Sequence, residues 1–145
     1  MRRSGVAIDG VALVYGRATG RALVLDEPLS FWGGLDAGTG TIIDTHHPQV
    51  GQSIVGCILV LPSGRGSSSS SSVLAEAIRN AAGPAGIVLG MIDPIIALGC
   101  HVAHELYRAS TPVVVLEAAG YQECTGSAEL LVEADEDHAV VRVIQ

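Results

Sequence analysis

The chain contains no lysine: its eight basic residues are all arginine. This removes the G-x-x-x-x-G-K-[ST] phosphate loop, which needs the lysine to reach the phosphates. No basic run exceeds Arg2-Arg3, and the formal net charge is −7. Binding to nucleic acid requires clustered cations to neutralise phosphates, so no nucleic-acid partner is expected. No apolar stretch reaches the ~18 residues that span a bilayer, and the N-terminus lacks the long apolar core of a signal peptide. No membrane partner is expected, and a cytoplasmic location is the simplest reading. Aromatic residues are 3% of the chain, with one Phe and one Trp, so the core must be built from Val, Ile, Leu and Ala. Cys57, Cys100 and Cys124 are odd in number and widely spaced. That pattern argues against a disulfide framework and fits a reducing compartment.

What is present points to a compact fold. A length of 145 residues suits a single domain, 1–145, around one core. Hydrophobic residues reach 48% and charged residues only 16%, which excludes a disordered chain and suggests that a partner covers part of the surface. Eighteen glycines imply many tight turns.

Taken in order, Val6 to Tyr15 reads as one or two short strands, and Arg17-Ala18-Thr19-Gly20 as a turn. Arg21 to Leu25 is a strand closed by Asp26-Glu27-Pro28. The segment Leu29 to Asp36 holds the only Phe and Trp and reads as a loop. Thr41 to Asp44 is a short strand leading into Thr45-His46-His47-Pro48, where the proline favours extended or turn geometry. Ser53 to Leu61 is apolar throughout and of strand length, as expected for a strand buried on both faces. A helix follows from about Ser70 to Ala82, ending at Gly83-Pro84. Ala85 to Leu89 is a second buried strand. Asp93-Pro94 supplies an N-cap and an N1 proline for a helix running to about Arg108. Pro112 to Leu116 is a third buried strand. Ala128 to Glu133 and Ala139 to Ile144 form a closing hairpin. The alternation from 56 to 116 predicts parallel strands with crossover helices. The expected fold is α/β: a parallel layer carrying helices and an antiparallel β layer.

The most informative stretch joins the first buried strand to the first helix: Ile58-Leu59-Val60-Leu61-Pro62-Ser63-Gly64-Arg65-Gly66-Ser67, then serine to Ser72. A strand, a glycine-rich turn and a helix start gather free N–H groups and the positive end of a helix dipole at one point. A serine hydroxyl there sits where an oxyanion, carboxylate or phosphate is stabilised. Two plainer readings compete. One is a flexible serine linker, which requires each half-chain to fold alone. The other is helix capping, which accounts for one serine of the run. The serine lies in no G-x-S-x-G elbow, and no His or Asp is placed to suggest a triad. What remains is a serine aided by helix-end N–H groups and by Arg65, an arrangement able to take a proton from carbon.

Elsewhere, Cys100, His101 and His104 share a helix, and His101 and His104 share a face. A metal could in principle lie there, but Cys100 is turned by roughly 100° from His101 and no fourth ligand is evident. Phe31-Trp32 reads as the hydrophobic anchor of its loop, Asp36 as a turn residue, and His46-His47-Pro48 as a turn with exposed imidazoles.

Three stretches together resemble one family. Pro28-Leu29-Ser30-Phe31-Trp32-Gly33-Gly34-Leu35-Asp36, His47-Pro48-x-x-Gly51, and Val60-Leu61-Pro62-Ser63-Gly64-Arg65-Gly66-Ser67 look like the small subunit of aconitase X, the swivelling domain of an aconitase-like hydro-lyase. The resemblance runs from about Gly16 to Leu116. It implies a three-layer β/β/α domain that docks on an aconitase X large subunit as a heterodimer or higher assembly. That subunit carries an iron–sulfur or iron centre, with none bound by this chain. Substrate, a small hydroxy acid, lies between the two. The resemblance makes Ser67 the serine base, with Gly66, Ser68 and Ser69 beside it on the substrate. Aconitases follow their serines with a substrate-binding arginine. Ser69 stands in that place here, and Arg65 is the available charge. Ser30, Gly33, Gly34, Asp36 and His47 form a possible site loop. The implied reaction is dehydration: Ser67 removes a proton from the carbon next to a carboxylate while the metal acts as Lewis acid on the departing hydroxyl. Bacterial members resemble cis-3-hydroxy-L-proline dehydratase, and archaeal members resemble phosphomevalonate dehydratase. The serine run and the Phe-Trp-Gly-Gly form look more like the former. A non-catalytic anion-binding module and a purely structural subunit are the competing classes.

Overall fold

In the computed structural model, which describes residues 4–144, the chain orders itself around buried strands that are apolar on both faces. Arg2 and Arg3 lie outside the described residues. The elements run β1 Ser4–Asp9, β2 Val11–Val14, β3 Gly16–Val24, an irregular turn α1 Phe31–Gly34, β4 Leu35–Asp36, β5 Thr41–Ile42, β6 Ile58–Leu61, α2 Ser69–Arg79, β7 Gly86–Leu89, α3 Pro94–Tyr107, β8 Val113–Val115, α4 Ala118–Thr125, β9 Glu129–Ala134 and β10 Ala139–Ile144. No helix among the described residues is long and apolar enough to cross a membrane.

Eight strands form one mixed sheet in the order β1-β10-β9-β3-β6-β7-β8-β2. The pairs β3–β6, β6–β7 and β7–β8 are parallel, as the βαβαβ reading of 56–116 predicts. The antiparallel half is β1, β10, β9 and the first part of β3. β3 belongs to both halves: Gly16 to Arg21 pair with β9, and Ala22 to Val24 pair with β6. The two outermost strands, β1 and β2, are consecutive in sequence, separated only by Gly10. The antiparallel half therefore folds back over the parallel half. At this corner a Cβ on Gly10 would lie 2.6 Å from the Val115 carbonyl oxygen, so only glycine fits.

Period-two alternation makes three layers out of this sheet. Leu59 and Leu61 of β6, Ile87 and Leu89 of β7 and Val113 of β8 face a core shared with Leu74, Ala77 and Ile78 of α2 and with Ile96, Cys100 and Ala103 of α3. Ile58 and Val60, Val88 and Val114 face a second core shared with Leu130 and Val132 of β9 and Val141 and Val143 of β10. Helices, parallel strands and antiparallel strands are thus stacked in that order, matching the β/β/α expectation.

Three expectations need correction. Arg17–Gly20 is not a turn but the middle of β3. Gly20 is there because the Gly56 carbonyl oxygen approaches to 2.7 Å of where its Cβ would be. The strand expected over 53–61 begins only at Ile58, because Gly51 and Gly56 take φ of +88° and +70° and turn the chain before it. Finally, α4 was not anticipated: Ala118–Thr125 buries only Cys124 and has no apolar stripe to read.

Candidate functional site

β6 delivers its C-terminal end to a loop held from three sides. The Pro62 carbonyl accepts from the Gly90 amide at 3.1 Å, which fixes the loop to the strand beside it. The Gly64 amide donates to Asp93 Oδ2 at 2.7 Å, and the Arg65 amide donates to the Leu29 carbonyl at 3.1 Å. Asp93 is at the same time the N-cap of α3, its Oδ1 accepting from the amides of Ile95 and Ile96 at 3.0 and 3.2 Å. One carboxylate thus satisfies two helix-end donors and one loop donor. Two glycines are required for this approach. A Cβ at Gly64 would stand 2.9 Å from Asp93 Oδ2. Gly66, at φ +98°, would set one 2.8 Å from Ser30 Oγ.

The serines after Gly66 divide into two groups. Ser70 and Ser71 are buried. Ser70 Oγ accepts from the Trp32 amide at 3.2 Å, and Ser71 Oγ donates to the Ile95 carbonyl at 2.7 Å, joining α2 to α3. Ser67, Ser68, Ser69 and Ser72 are exposed. Ser68 is the residue before the helix, but its side chain makes no capping bond. Ser67 performs that role: its Oγ accepts from the Ser69 amide at 3.3 Å, and its carbonyl accepts from the Ser70 amide at 3.0 Å.

This leaves an electropositive point. Among the described residues the amides of Gly66, Ser67 and Ser68 have no partner, and the first turn of α2 contains no acidic residue. An N–H bond to Ser67 Oγ together with the positive helix end lowers the cost of forming the alkoxide relative to an isolated serine. Arg65 brings the nearby guanidinium. Its Nη2 donates to the Pro28 carbonyl at 2.8 Å and lies 3.9 Å from Glu27 Oε1. Behind the loop is a small cleft of about 120 Å³, lined by Phe31, Gly64, Arg65, Gly66, Ser70 and Asp93 among others.

Of the loop candidates, Ser30 joins this site at the start of α1. Ser30 Oγ donates to the Trp32 carbonyl at 2.9 Å and lies against Gly66. Gly33, at φ +79°, faces open space, while Gly34 is buried against Leu29. Asp36 and His47 do not reach the serines. Asp36 closes a turn, its Oδ1 accepting from the Gly38 amide at 2.8 Å. His47 is 2% exposed, so the expectation of an exposed imidazole is overturned. Its Nδ1 accepts from the Gln49 amide at 3.0 Å, which leaves Nε2–H to donate to the Glu27 carbonyl at 3.2 Å. His47 therefore supports the Asp26–Ser30 segment from behind. Phe31 is the buried anchor that the sequence suggests, at 1% exposure, whereas Trp32 is 62% exposed and anchors nothing.

The geometry can be set beside known proteins. A family model described as the aconitase X swivel domain matches residues 7–143. This chain belongs to the aconitase X swivel-domain family. It is 42% identical over 114 residues to cis-3-hydroxy-L-proline dehydratase of Hypocrea jecorina, covering 79% of this chain and 19% of that protein. It is 43% identical over 96 residues to the phosphomevalonate dehydratase small subunit of Methanothermobacter thermautotrophicus, covering 66% of this chain and 73% of that one. The crystal structure of Thermococcus kodakaraensis aconitase X in its holo form superposes with a TM-score of 0.81 at 31% identity, over 97% of this chain and all of that one. The chain spans about a fifth of the length of the cis-3-hydroxy-L-proline dehydratases it matches.

The described residues of this swivel domain offer no grouped set of ligands for an iron centre. Cys57, Cys100 and Cys124 are buried, and among the described residues no three His, Cys, Asp or Glu side chains are grouped to hold a metal ion. Burial pushes their thiols up to about 11, 12 and 11, with Arg21 partly opposing the shift at Cys57. Cys100 belongs to the helix–sheet core, His101 Nε2 lies 3.1 Å from the Leu13 carbonyl, and His104 lies at the surface beside Glu105, so the three are not drawn together. Two residues of the swivel domain escape sequence reading. The reach of Asp93 to Gly64 is not visible, because an N-cap signal says nothing of a second partner. Tyr121 lies on the unanticipated α4. Its hydroxyl is buried without a partner among the described residues, and its ring packs over Gly90.

Proposed function

We propose that this swivel domain is the small subunit of an aconitase X-type hydro-lyase, with Ser67 as the base that removes the proton in dehydration of a hydroxy acid. The observation that carries the reading is the state of Ser67: exposed, its Oγ accepting a helix N–H, beside three unpartnered amides. Those amides and Arg65 can hold a substrate carboxylate, which also acidifies the neighbouring C–H. Ser67, having first released its hydroxyl proton to solvent, takes that proton as the alkoxide and is returned to the hydroxyl. The hydroxyl on the next carbon departs on the partner's side, where the resemblance locates the iron–sulfur or iron centre. A large subunit in a heterodimer or higher assembly is thus part of the proposal, as is a cytoplasmic setting, supported by three unpaired thiols.

The substrate favoured is cis-3-hydroxy-L-proline. Identity to a dehydratase of that name extends over 79% of the chain. The site also brings one guanidinium, with the Glu27 carboxylate 3.9 Å away. That suits a substrate with one carboxylate better than phosphomevalonate, which adds a phosphate dianion. The second reading, phosphomevalonate dehydration, is supported by the 43% identity to a small subunit of that name. The deciding experiment offers both compounds to this chain co-expressed anaerobically with its large subunit. Turnover of cis-3-hydroxy-L-proline is expected. Turnover of 5-phosphomevalonate alone would reverse the substrate choice. An assembled, metal-loaded complex inert to both would favour a non-catalytic anion-binding module.

A further inference from the structure

We infer that Trp32 is a substrate-recognition residue of this site, its indole receiving a cationic ring nitrogen while Arg65 and the α2 amides take the carboxylate. The inference rests on the cis-3-hydroxy-L-proline reading above and assigns the residue that recognises the ring nitrogen of that substrate.

Trp32 combines a fixed main chain with a side chain left in water. Its neighbour Phe31 is 1% exposed and anchors the loop, yet Trp32 is 62% exposed. Packing against this chain therefore does not explain the indole, the only one the chain contains. Nor is the segment loose. The Trp32 amide donates to Ser70 Oγ at 3.2 Å, and its carbonyl accepts from Ser30 Oγ at 2.9 Å. Both serines touch the base loop. The Ser70 amide donates to the Ser67 carbonyl at 3.0 Å, and Ser30 Oγ lies against Gly66. Trp32 is rooted two hydrogen bonds from Ser67. A ψ of 116° at Trp32 followed by φ +79° at Gly33 breaks the turn at this point, and nothing lies within 4 Å of where a Gly33 Cβ would be. The indole is left open to solvent beside this break.

An electron-rich indole face attracts an organic cation, and Trp is the strongest of the aromatic residues in this respect. A neutral or anionic tail gains nothing from this surface. Trp32 therefore distinguishes a zwitterionic ring substrate from a phosphorylated acid.

The test uses the single tryptophan as its own reporter. The swivel domain is labelled with 5-fluorotryptophan and assembled with unlabelled large subunit. L-proline is titrated in, with tetrahydro-2-furoate, the same ring with oxygen in place of the ammonium, as the neutral comparison. The expected result is a saturable shift of the one fluorine resonance by proline, with the furoate binding about 2- to 30-fold more weakly. Trp32→Leu should raise KM for cis-3-hydroxy-L-proline over the same range with kcat retained, and Trp32→Phe should fall between. A resonance unmoved by saturating proline, equal affinity for the two ligands, or loss of subunit assembly in Trp32→Leu would overturn the inference; the last would make Trp32 a docking residue. A complex that turns over hydroxyproline with a silent resonance defeats this inference alone. A complex inert to hydroxyproline whose resonance still responds to proline defeats only the proposed reaction.

Discussion

Six consecutive serines occupy Ser67 to Ser72, and the side chains do different things. Ser67 caps the helix and presents its hydroxyl. Ser70 and Ser71 are buried and bind the α1 loop and α3, while Ser72 is exposed. Removing a buried hydroxyl that satisfies a carbonyl costs about 1 kcal/mol, and exposed positions lie within about 0.5 kcal/mol of neutral. Ser71→Ala should therefore lower the urea midpoint by roughly the equivalent of 1 kcal/mol, and Ser72→Ala should leave it unchanged. Equal effects would contradict the division. The thiols give a pH signature at the same scale. Cys57, Cys100 and Cys124 titrate from about 11 upward in the folded chain, against an ordinary 9.0 when exposed on unfolding. Between these values the unfolded chain has lost thiol protons that the folded chain keeps. Stability is full below pH 9 and falls as pH rises through about 11. Urea midpoints should drop between pH 8.5 and 10.5, and all three thiols should resist a disulfide reagent until unfolding. A midpoint unchanged over that range would refute the burial account.

At the scale of elements, the site depends on α3 as much as on α2. Asp93 caps α3 and holds Gly64, so Asp93→Ala removes one cap and leaves a loop amide unpaired. A lost cap costs about 0.5–2 kcal/mol. The variant should be destabilised by about that much and should also lose turnover in the assembled enzyme, since the loop carrying Ser67 is no longer fixed. A variant destabilised but fully active would show that the tether does not position the loop. The β6–α2–β7–α3–β8 core was readable because each strand is apolar on both faces and each helix carries its own start signal. β3 was readable only in part: Gly20 looks like a turn residue, yet it serves a close backbone approach from Gly56. α4 gave no signal, because Ala118–Thr125 buries one side chain and has no periodic stripe.

For the whole molecule, one mixed sheet is folded at Gly10 so that its antiparallel half covers one face of the parallel half and the helices cover the other. The C-terminal ends of the parallel strands are left to carry the loops. Ser67, Arg65 and Gly66 could be singled out from the sequence because a strand, a glycine turn and a helix start are contiguous there. The supporting contacts of Asp93 and Trp32 could not, because these residues reach the loop from segments distant in sequence, and Ser30 enters only through the family resemblance. The burial of His47 is invisible in the sequence for the same reason: its partners, Glu27 and Gln49, meet only in the fold. The central claim is that Ser67 is the base of a dehydratase assembled with a large subunit. It is tested most directly by kcat of the Ser67→Ala complex alongside calorimetric binding of substrate. The account predicts a fall in kcat of about 10²- to 10⁴-fold with binding nearly unchanged, as expected for loss of a group that acts in proton transfer. A kcat within a few-fold of wild type would contradict it.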